Sequence, residues 1–309
     1  MAAFRADLHQ HGLPCAPLLK LQIWRGVVDA TFDMVACVLA VALMWRVGWP
    51  LLPAVLILVG NRQRALGNLL HDGAHRNLSR SEAVNDWIVL LFIAAPTFST
   101  LSVYRRAHYA HHLCLGDAND DPDYLPIPPG RSSWSRNYRI HLMRRGPWLN
   151  SVAGQLLDAS TDRRSKLAMG VWWIAFLGLL GCWVEPGFAA MYALVWMAAR
   201  ATVFHAITVF REMCDHFGLP RAGVLKSTRD LVSHGALCML THPRNNGYHL
   251  THHLLPAVPY YLLPRAQRLF AELPIYRAAG SVYTSCLVGL RPVVGDWNTN
   301  ATPRRSHDE

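Results

Sequence analysis

The sequence predicts an all-α membrane protein with four transmembrane helices and a cytoplasmic helical cap. Three observations support this fold class. The chain of 309 residues is 52% hydrophobic yet has a formal net charge of +10, a combination unusual for one compact soluble domain. Its apolar residues are concentrated in four stretches, whereas most arginines lie between or after these stretches. Three groups of histidines, each at helical spacing, occur in the polar parts of the chain.

The lengths of the apolar stretches predict the spans. A helix needs about 20 apolar residues to cross the hydrocarbon core, and residues 27–45, 167–184 and 187–210 reach that length directly. The stretch 49–60 is shorter, so this second span must continue as far as Leu70. Its arginines then lie near the interface, where long cationic side chains snorkel. A soluble protein with buried helices is the competing interpretation.

A fifth apolar run, residues 87–101, differs from the others. It is interrupted by Pro96 and contains several serines and threonines. We therefore expect an interfacial or re-entrant segment rather than a span. If this run did cross the bilayer, the histidine groups before and after it would lie on opposite sides.

The charge distribution predicts the orientation. The connection after the third span carries only Glu185, and the first connection carries only Arg46. The segment 105–166 instead carries ten cationic residues, Arg105, Arg106, Arg131, Arg136, Arg139, Arg144, Arg145, Arg163, Arg164 and Lys166. Cytoplasmic loops near spans are enriched in Lys and Arg. Both termini and all three histidine groups are thus expected on the cytoplasmic side of a multi-pass protein.

The same pattern defines the expected domain organisation. Residues 1–26 form a cytoplasmic N-terminal segment, 27–297 a single membrane domain, and 298–309 a polar, disordered tail. The basic residues lie on cytoplasmic flanks, which favours contact with anionic headgroups and argues against nucleic acid as a partner. The seven cysteines are scattered and contain no C-x-x-C pair, so they predict neither a disulfide framework nor a zinc knuckle.

The histidine groups indicate a metal site. They read H-D-G-A-H, H-Y-A-H-H and H-L-T-H-H, and comprise His71, His75, His108, His111, His112, His249, His252 and His253. Residues at i, i+3 and i+4 share one helix face, so each group can direct its imidazoles to one point. Imidazole is a common ligand for iron, zinc, copper and nickel. Eight such ligands are too many for one ion and suit two, although any single group could be a surface pair.

Other metal sites fit the sequence less well. A zinc protease requires H-E-x-x-H, but Asp72 follows His71 here, and five clustered histidines would stay unused. A ferritin-like centre requires Glu-x-x-His pairs, which the chain lacks. Two iron ions are the expected occupants, because redox-active ions suit oxygen activation and zinc has no redox chemistry.

The three boxes, their order and the spans between them resemble the integral-membrane fatty acid desaturase family. The segments H-D-G-A-H-R-N-L, Y-R-R-A-H-Y-A-H-H and N-N-G-Y-H-L-T-H-H-L-L-P carry the resemblance, which extends from about Val27 to Pro264. It implies that a di-iron centre uses O2 and two electrons to remove hydrogens from an unactivated C–H position. Relatives of this fold also hydroxylate or form ketones.

The resemblance also implies further site residues. The segment R-E-M-C-D-H-F-G places His216 where the family has an additional iron ligand. Glu212 occupies the position of an Asn in acyl-CoA desaturases that holds a metal-bound water. One helical turn separates the two residues, and we expect Glu212 to have a catalytic role by adjusting the iron site. The chain contains no haem or ferredoxin-type motif, so a ferredoxin-like or b-type-cytochrome-like protein must supply electrons.

The sequence leaves the roles of several other polar residues undecided. One or two of the acids that flank the boxes are expected to orient ligand histidines; the candidates are Asp72, Asp117, Asp120, Asp121 and Asp123. His205 is expected to be a packed, hydrogen-bonded histidine, and His141 to lie at the surface.

The expected function is desaturation of a lipid acyl chain. A carotenoid, a sphingolipid base or a small amino-acid-derived metabolite is the alternative substrate, and hydroxylation the alternative reaction. A metal-dependent hydrolase is the competing enzyme class. A metal transporter is disfavoured, because only His205 lies inside an expected span.

Overall fold

The computed structural model of the protein describes residues 2–233 and 235–298. It is mostly helical, as the sequence predicts. The α-helices are α1 (Ala2–Gln10), α2 (Ile23–Val47), α3 (Leu52–Ala74), α4 (Glu82–Val89), α5 (Leu101–Cys114), α6 (Trp134–Leu142), α7 (Arg145–Ala153), α8 (Arg163–Trp183), α9 (Pro186–Ala199), α10 (His205–His216), α11 (Val224–Ser227), α12 (Ala236–Thr241), α13 (His249–Leu254), α14 (Leu263–Phe270) and α15 (Pro274–Ala279). Apart from residue 298, the predicted disordered tail lies outside the described residues.

Shorter helical elements link these helices. Two are π-helical, Leu90–Ala94 and Arg200–Phe204. The others are 3-10 turns at Ala16–Leu19, Trp49–Leu51, Gly154–Leu156, Pro243–Asn245, Tyr260–Leu262 and Val293–Trp297. The second π-helix joins α9 to α10 into one continuous helix, Pro186–His216.

Three helices in the described chain are long and apolar enough to cross a membrane. They are α2, α8 and the continuous helix Pro186–His216, which correspond to the first, third and fourth predicted spans. The segment of the second predicted span is also helical, as α3, but does not meet the same criterion. Its second half contains Asn61, Arg62, Gln63, Arg64 and Asn68, which lower its mean hydropathy.

The polar half of α3 is packed inside the protein. Asp33 of α2 is fully buried and pairs with Arg62 at 3.0 Å and with Arg244 at 2.9 Å. Asp29 pairs with Arg244 as well, at 2.9 Å. The two acids of the first apolar stretch are therefore compensated by cations from α3 and from the segment before the third histidine box, as burial of charge requires.

The run 87–101 does not form a continuous helix. Helix α4 passes into the π-helix Leu90–Ala94, the chain turns at residues 95–98, and α5 begins at Leu101. Gly73, inside the first histidine box, lies against this segment, since a Cβ there would be 2.4 Å from Cγ2 of Val89. Only glycine permits so close an approach without movement of the neighbour.

A small sheet departs from the all-helical prediction. Strands β1 (Arg229–Leu231) and β2 (Ser281–Tyr283) are parallel, with Asp230 opposite Val282. Strand β1 supports the third histidine box: the Leu231 N–H donates to Gly247 O at 2.7 Å, and the buried Asp230 carboxylate accepts from the N–H and hydroxyl of Thr251 at 2.9 and 2.6 Å. Strands of three residues are too short to show an alternating sequence pattern.

Candidate metal centre

Four helix segments bring the histidines together. The first box lies at the C-terminal end of α3, the second on α5, and the third makes up most of α13. His216 ends α10. The nine imidazoles form two groups within which the potential ligand nitrogens all lie within 4.8 Å of one another.

The five-histidine cluster combines all three boxes. Its members are His71, His75, His108, His112 and His252. The Nε2 of His108 is 2.9 Å from that of His75 and 3.0 Å from that of His112, and Nε2 of His252 is 3.2 Å from that of His112. The ring of His71 lies 4.2 Å from that of His252, between centroids.

The four-histidine cluster contains His111, His216, His249 and His253. The Nε2 of His249 is 2.9 Å from that of His216 and 3.1 Å from that of His253. The sequence resemblance placed His216 near the boxes, and the structure brings it into contact with the third one. The second and third boxes thus divide their histidines between the two clusters.

All the clustered imidazoles except that of His111 have the charge state that a metal ligand needs. Burial lowers the pKa of His75 to about 4 and that of His112 to about 3. Burial, followed by neighbouring imidazoles, also lowers the pKa of His252 and His253 well below the usual value. These side chains are therefore neutral near pH 7, and a neutral imidazole presents a lone pair to a cation.

The arrangement fits a bound metal in each cluster. Several Nε2 atoms face one another at hydrogen-bond distance, yet a neutral imidazole has only one N–H. Among the described residues, the buried His71 Nε2 has no hydrogen-bond partner. Convergent nitrogen lone pairs without donors are compensated when a cation lies between them.

Two clustered histidines form hydrogen bonds with residues outside the clusters. The Nδ1–H of His111 donates to the Asp121 carboxylate at 2.8 Å, and that of His216 to the backbone oxygen of Ser227 at 3.0 Å. Burial lowers the pKa of His111, but the hydrogen bond to Asp121 and the charge of Asp123 raise it above its usual value. Each bond directs Nε2 into the cluster. Asp121 is thus a flanking acid that forms the expected hydrogen bond with a clustered histidine.

The other flanking acids have different contacts. Asp72 accepts from the Tyr260 N–H at 2.9 Å, and its carboxylate is 3.8 Å from Nδ1 of His71. Asp117 pairs with Arg221 and accepts from the N–H of Asn119 at 2.8 Å. These two acids hold loops, and neither forms a hydrogen bond with a clustered imidazole.

Glu212 lines a narrow cavity that both clusters border. Its side chain is 31% exposed and its carboxylate is 3.7 Å from the Arg211 guanidinium. Among the described residues, no hydrogen bond joins Glu212 to a clustered histidine. Asp215, which the sequence motifs did not single out, is closer: it is buried, pairs with Arg211 at 2.7 Å, and has an oxygen 3.7 Å from Nε2 of His249.

Two histidines outside the clusters were assigned from the sequence. His205 is buried, with Nδ1 2.8 Å from the Ser151 hydroxyl and Nε2 2.9 Å from Leu142 O, so its structural assignment is confirmed. The prediction that His141 is exposed is wrong. Its ring is 2% exposed and packs edge-on against Phe217 at 5.2 Å between centroids. Helix α6 packs against α10, and His141 lies on the buried face of α6. A single histidine without a partner at helical spacing does not reveal this burial in the sequence.

Known sequences that resemble this chain share the region that forms the two clusters. A sequence model described as fatty acid desaturase matches residues 47–285, which include all nine clustered histidines. The chain belongs to the fatty acid desaturase family. It is accordingly an oxidoreductase of the desaturase type.

Three relatives show the range of the family. Dihydrorhizobitoxine desaturase of Bradyrhizobium elkanii is 28% identical over 259 residues, which cover 78% of this chain and 73% of the relative. The sn-1 acyl-lipid omega-3 desaturase (ferredoxin) of Synechocystis sp. is 23% identical, with 77% and 75% covered. Beta-carotene 4-ketolase 3 of Haematococcus lacustris is 25% identical, with 64% and 57% covered.

Proposed function

We propose that this desaturase is an O2-dependent di-iron enzyme, with one iron in each histidine cluster. The observation that carries the proposal is the division of nine imidazoles, six buried and three half-buried, into two convergent groups. When bound, an iron pair supplies the redox chemistry by which O2 and two electrons remove two hydrogens from neighbouring C–H bonds. All nine histidines are proposed ligands, and Glu212 is proposed to act beside them.

The chain's own residues have separable roles in this proposal. Asp121 and Ser227 hold the imidazoles of His111 and His216, so that ligand orientation is set before the metal binds. Asp215 places a negative charge beside His249 and is itself neutralised by Arg211. Burial of most of these side chains limits the access of bulk water and keeps the imidazoles neutral, except that of His111, whose hydrogen bond to Asp121 raises its pKa.

Iron rather than zinc is proposed because desaturation is an oxidation and zinc has no redox chemistry. Nearly all-nitrogen sites bind several divalent metals, so the ligand set alone does not select iron. Metal analysis of the purified full-length protein tests this proposal directly. An additional readout is the incorporation of a double bond, detected as the loss of two hydrogens from a candidate substrate by mass spectrometry.

The proposed topology has four transmembrane helices, with α3 as the second, and a cytoplasmic cap that contains both clusters. The three apolar helices and the ten cationic residues between positions 105 and 166 support it. Residues 27–297 form one membrane domain in this proposal, preceded by a cytoplasmic segment 1–26. A ferredoxin-like or b-type-cytochrome-like carrier then delivers electrons from the cytoplasm, and the relative from Synechocystis sp., whose name specifies ferredoxin, supports this.

Two substrate classes are supported by different observations. The acyl-lipid desaturases among the relatives favour a lipid acyl chain, the substrate that the sequence motifs also favour. The relative with 28% identity is named for dihydrorhizobitoxine, and that name does not refer to an acyl lipid. The choice between these two substrate classes depends on the residues that line the cavity bordered by both clusters.

A further inference from the structure

The cavity that both histidine clusters border has a charged and polar wall. Besides five histidines, its lining residues are Arg64, Tyr104, Asp123, Arg211, Glu212 and Asn246. None of these residues is aliphatic. Because this cavity borders both clusters, its wall bears on what kind of molecule can react there.

Arg64 provides a cation that has no carboxylate in direct contact. Its side chain is buried, and its Nε–H and Nη2–H donate to Oδ1 of Asn68 at 3.1 and 2.7 Å. Among the described residues, no carboxylate forms an ion pair with it, whereas the neighbouring Arg211 pairs with Asp215 at 2.7 Å. Glu212 and Asp215 favour the charged form of Arg64 from beyond ion-pair distance. A bound anion would supply the direct ion pair that a buried charge needs.

Two further polar atoms at this cavity lack partners. Among the described residues, the buried Nε of Arg211 and Oδ1 of Asn246 form no hydrogen bond. They offer one donor and one acceptor beside the Arg64 guanidinium. Nearly all buried polar groups are hydrogen-bonded in native proteins, and a polar ligand would satisfy these.

The same cavity has an anionic side that solvent reaches. Glu212 is 31% exposed and Asp123 is 49% exposed, and Glu212 is only 3.7 Å from Arg211. The Glu212 carboxylate can accept hydrogen bonds from a ligand ammonium without first giving up a hydrogen bond within the described chain. A buried cation and a more exposed anion thus border one space.

We propose that the substrate of this site is a small zwitterion, with its carboxylate at Arg64 and its ammonium group at Glu212. This inference rests on the proposed function and specifies the substrate class for it. The free volume is only about 20 Å³, so an occupant displaces wall side chains, and the partly exposed Glu212 and Asp123 are the ones free to move. Arg64 and Glu212 are therefore the residues that determine specificity.

The apolar cavities lie elsewhere. One, of about 650 Å³, includes Leu91, Met169 and Trp172 in its wall, and another, of about 570 Å³, includes Trp148. Neither has a clustered histidine in its wall. An acyl chain could bind in these spaces. Methylene groups that entered the central cavity would displace its charged side chains, which desolvates charge without compensation.

Three matched probes test the proposal by calorimetric titration of the purified, iron-loaded full-length protein in micelles. L-norleucine carries both charges, hexanoate lacks the amine and pentylamine lacks the carboxylate. We expect norleucine to bind most tightly. Arg64→Gln should weaken norleucine and hexanoate binding roughly tenfold to hundredfold and spare pentylamine, since hydrogen bonds between charged groups are the strong ones. Glu212→Gln should weaken norleucine and pentylamine and spare hexanoate.

Arg221→Gln is the matched control, because this arginine is 63% exposed and lies outside the cavity wall. It should leave all three affinities unchanged. Equal weakening of every probe by Arg64→Gln and Glu212→Gln, or no binding of norleucine, would overturn the zwitterion site. If Arg64→Gln does not fold, the Glu212→Gln comparison decides alone.

A separate measurement distinguishes this inference from the function on which it rests. The wild-type protein in nanodiscs of dioleoylphosphatidylcholine is supplied with O2 and reduced ferredoxin, and the acyl chains are analysed for new double bonds. Conversion of the acyl chains would overturn the substrate class and leave the di-iron desaturase intact. Absence of iron from the purified protein would instead contradict the proposed function.

Discussion

Replacement of Asp121 by Asn tests how the protein holds its metal ligands. One carboxylate oxygen of Asp121 accepts from Nδ1–H of His111 at 2.8 Å and from the Asp123 N–H at 2.9 Å. The other accepts from the Gly116 N–H at 2.8 Å. An asparagine has only one acceptor oxygen, so its amide group must face either His111 or Gly116 with a donor against a donor.

The size of the effect follows from these contacts. Loss of a partner that orients a metal ligand typically weakens metal affinity or activity about 10- to 100-fold. An unsatisfied buried donor adds about 1–3 kcal/mol of destabilisation. We therefore expect that the chelator concentration needed to remove iron is about 10- to 100-fold lower for Asp121→Asn than for the wild type. The unfolding temperature of the variant should also be lower.

Asp117→Asn is the matched control for this experiment. Asp117 belongs to the same loop and also accepts backbone N–H groups, but its ion pair is with the exposed Arg221 and it does not contact a clustered histidine. We expect its chelator midpoint to stay within threefold of wild type. Equal iron retention in both variants would refute the idea that Asp121 orients His111.

Further predictions concern the clusters and the topology. His252→Ala should lower the iron content by about one ion per chain, because this ring belongs to the five-histidine cluster. His205→Ala should lower thermal stability and leave the iron content unchanged, because His205 lies outside both clusters and forms hydrogen bonds with Ser151 and Leu142. Metal analysis and thermal unfolding of both variants check this, and equal iron loss would contradict it. Reporter fusions after Lys166 should report the cytoplasm and fusions at Glu185 the opposite side, as the charge distribution requires; an external reading at Lys166 would mean that the run 87–101 spans the bilayer.

Much of this fold could be predicted from the sequence because long apolar runs and periodic spacings indicate helices. Long apolar runs predict spans within a few residues, and the starts of α2 and α8 differ from the predicted limits by four residues each, where a helix continues into the polar interface. The boxes predict which histidines converge because the i, i+3 and i+4 spacing is local. The small sheet was missed, since three-residue strands carry no such period.

The division into two clusters could not be predicted, because it depends on contacts between distant segments. His111 and His112 are adjacent in sequence yet belong to different clusters, as do His252 and His253. The buried Arg64 was interpreted as an interfacial, snorkelling residue of a span, whereas the structure places it in the cavity wall. Asp215 directly precedes His216, and its spacing of four from Arg211 is the signal that could have identified it.

The central claim is that the two clusters hold two iron ions. Its most direct test is the metal content of full-length protein purified from cells supplied with iron, measured by mass spectrometry of the metal and normalised to the protein concentration by amino-acid analysis. We predict close to two iron ions per chain, about one in the His252→Ala variant, and little zinc. Stoichiometric zinc without iron, or a wild-type protein that holds a single ion, would contradict the claim.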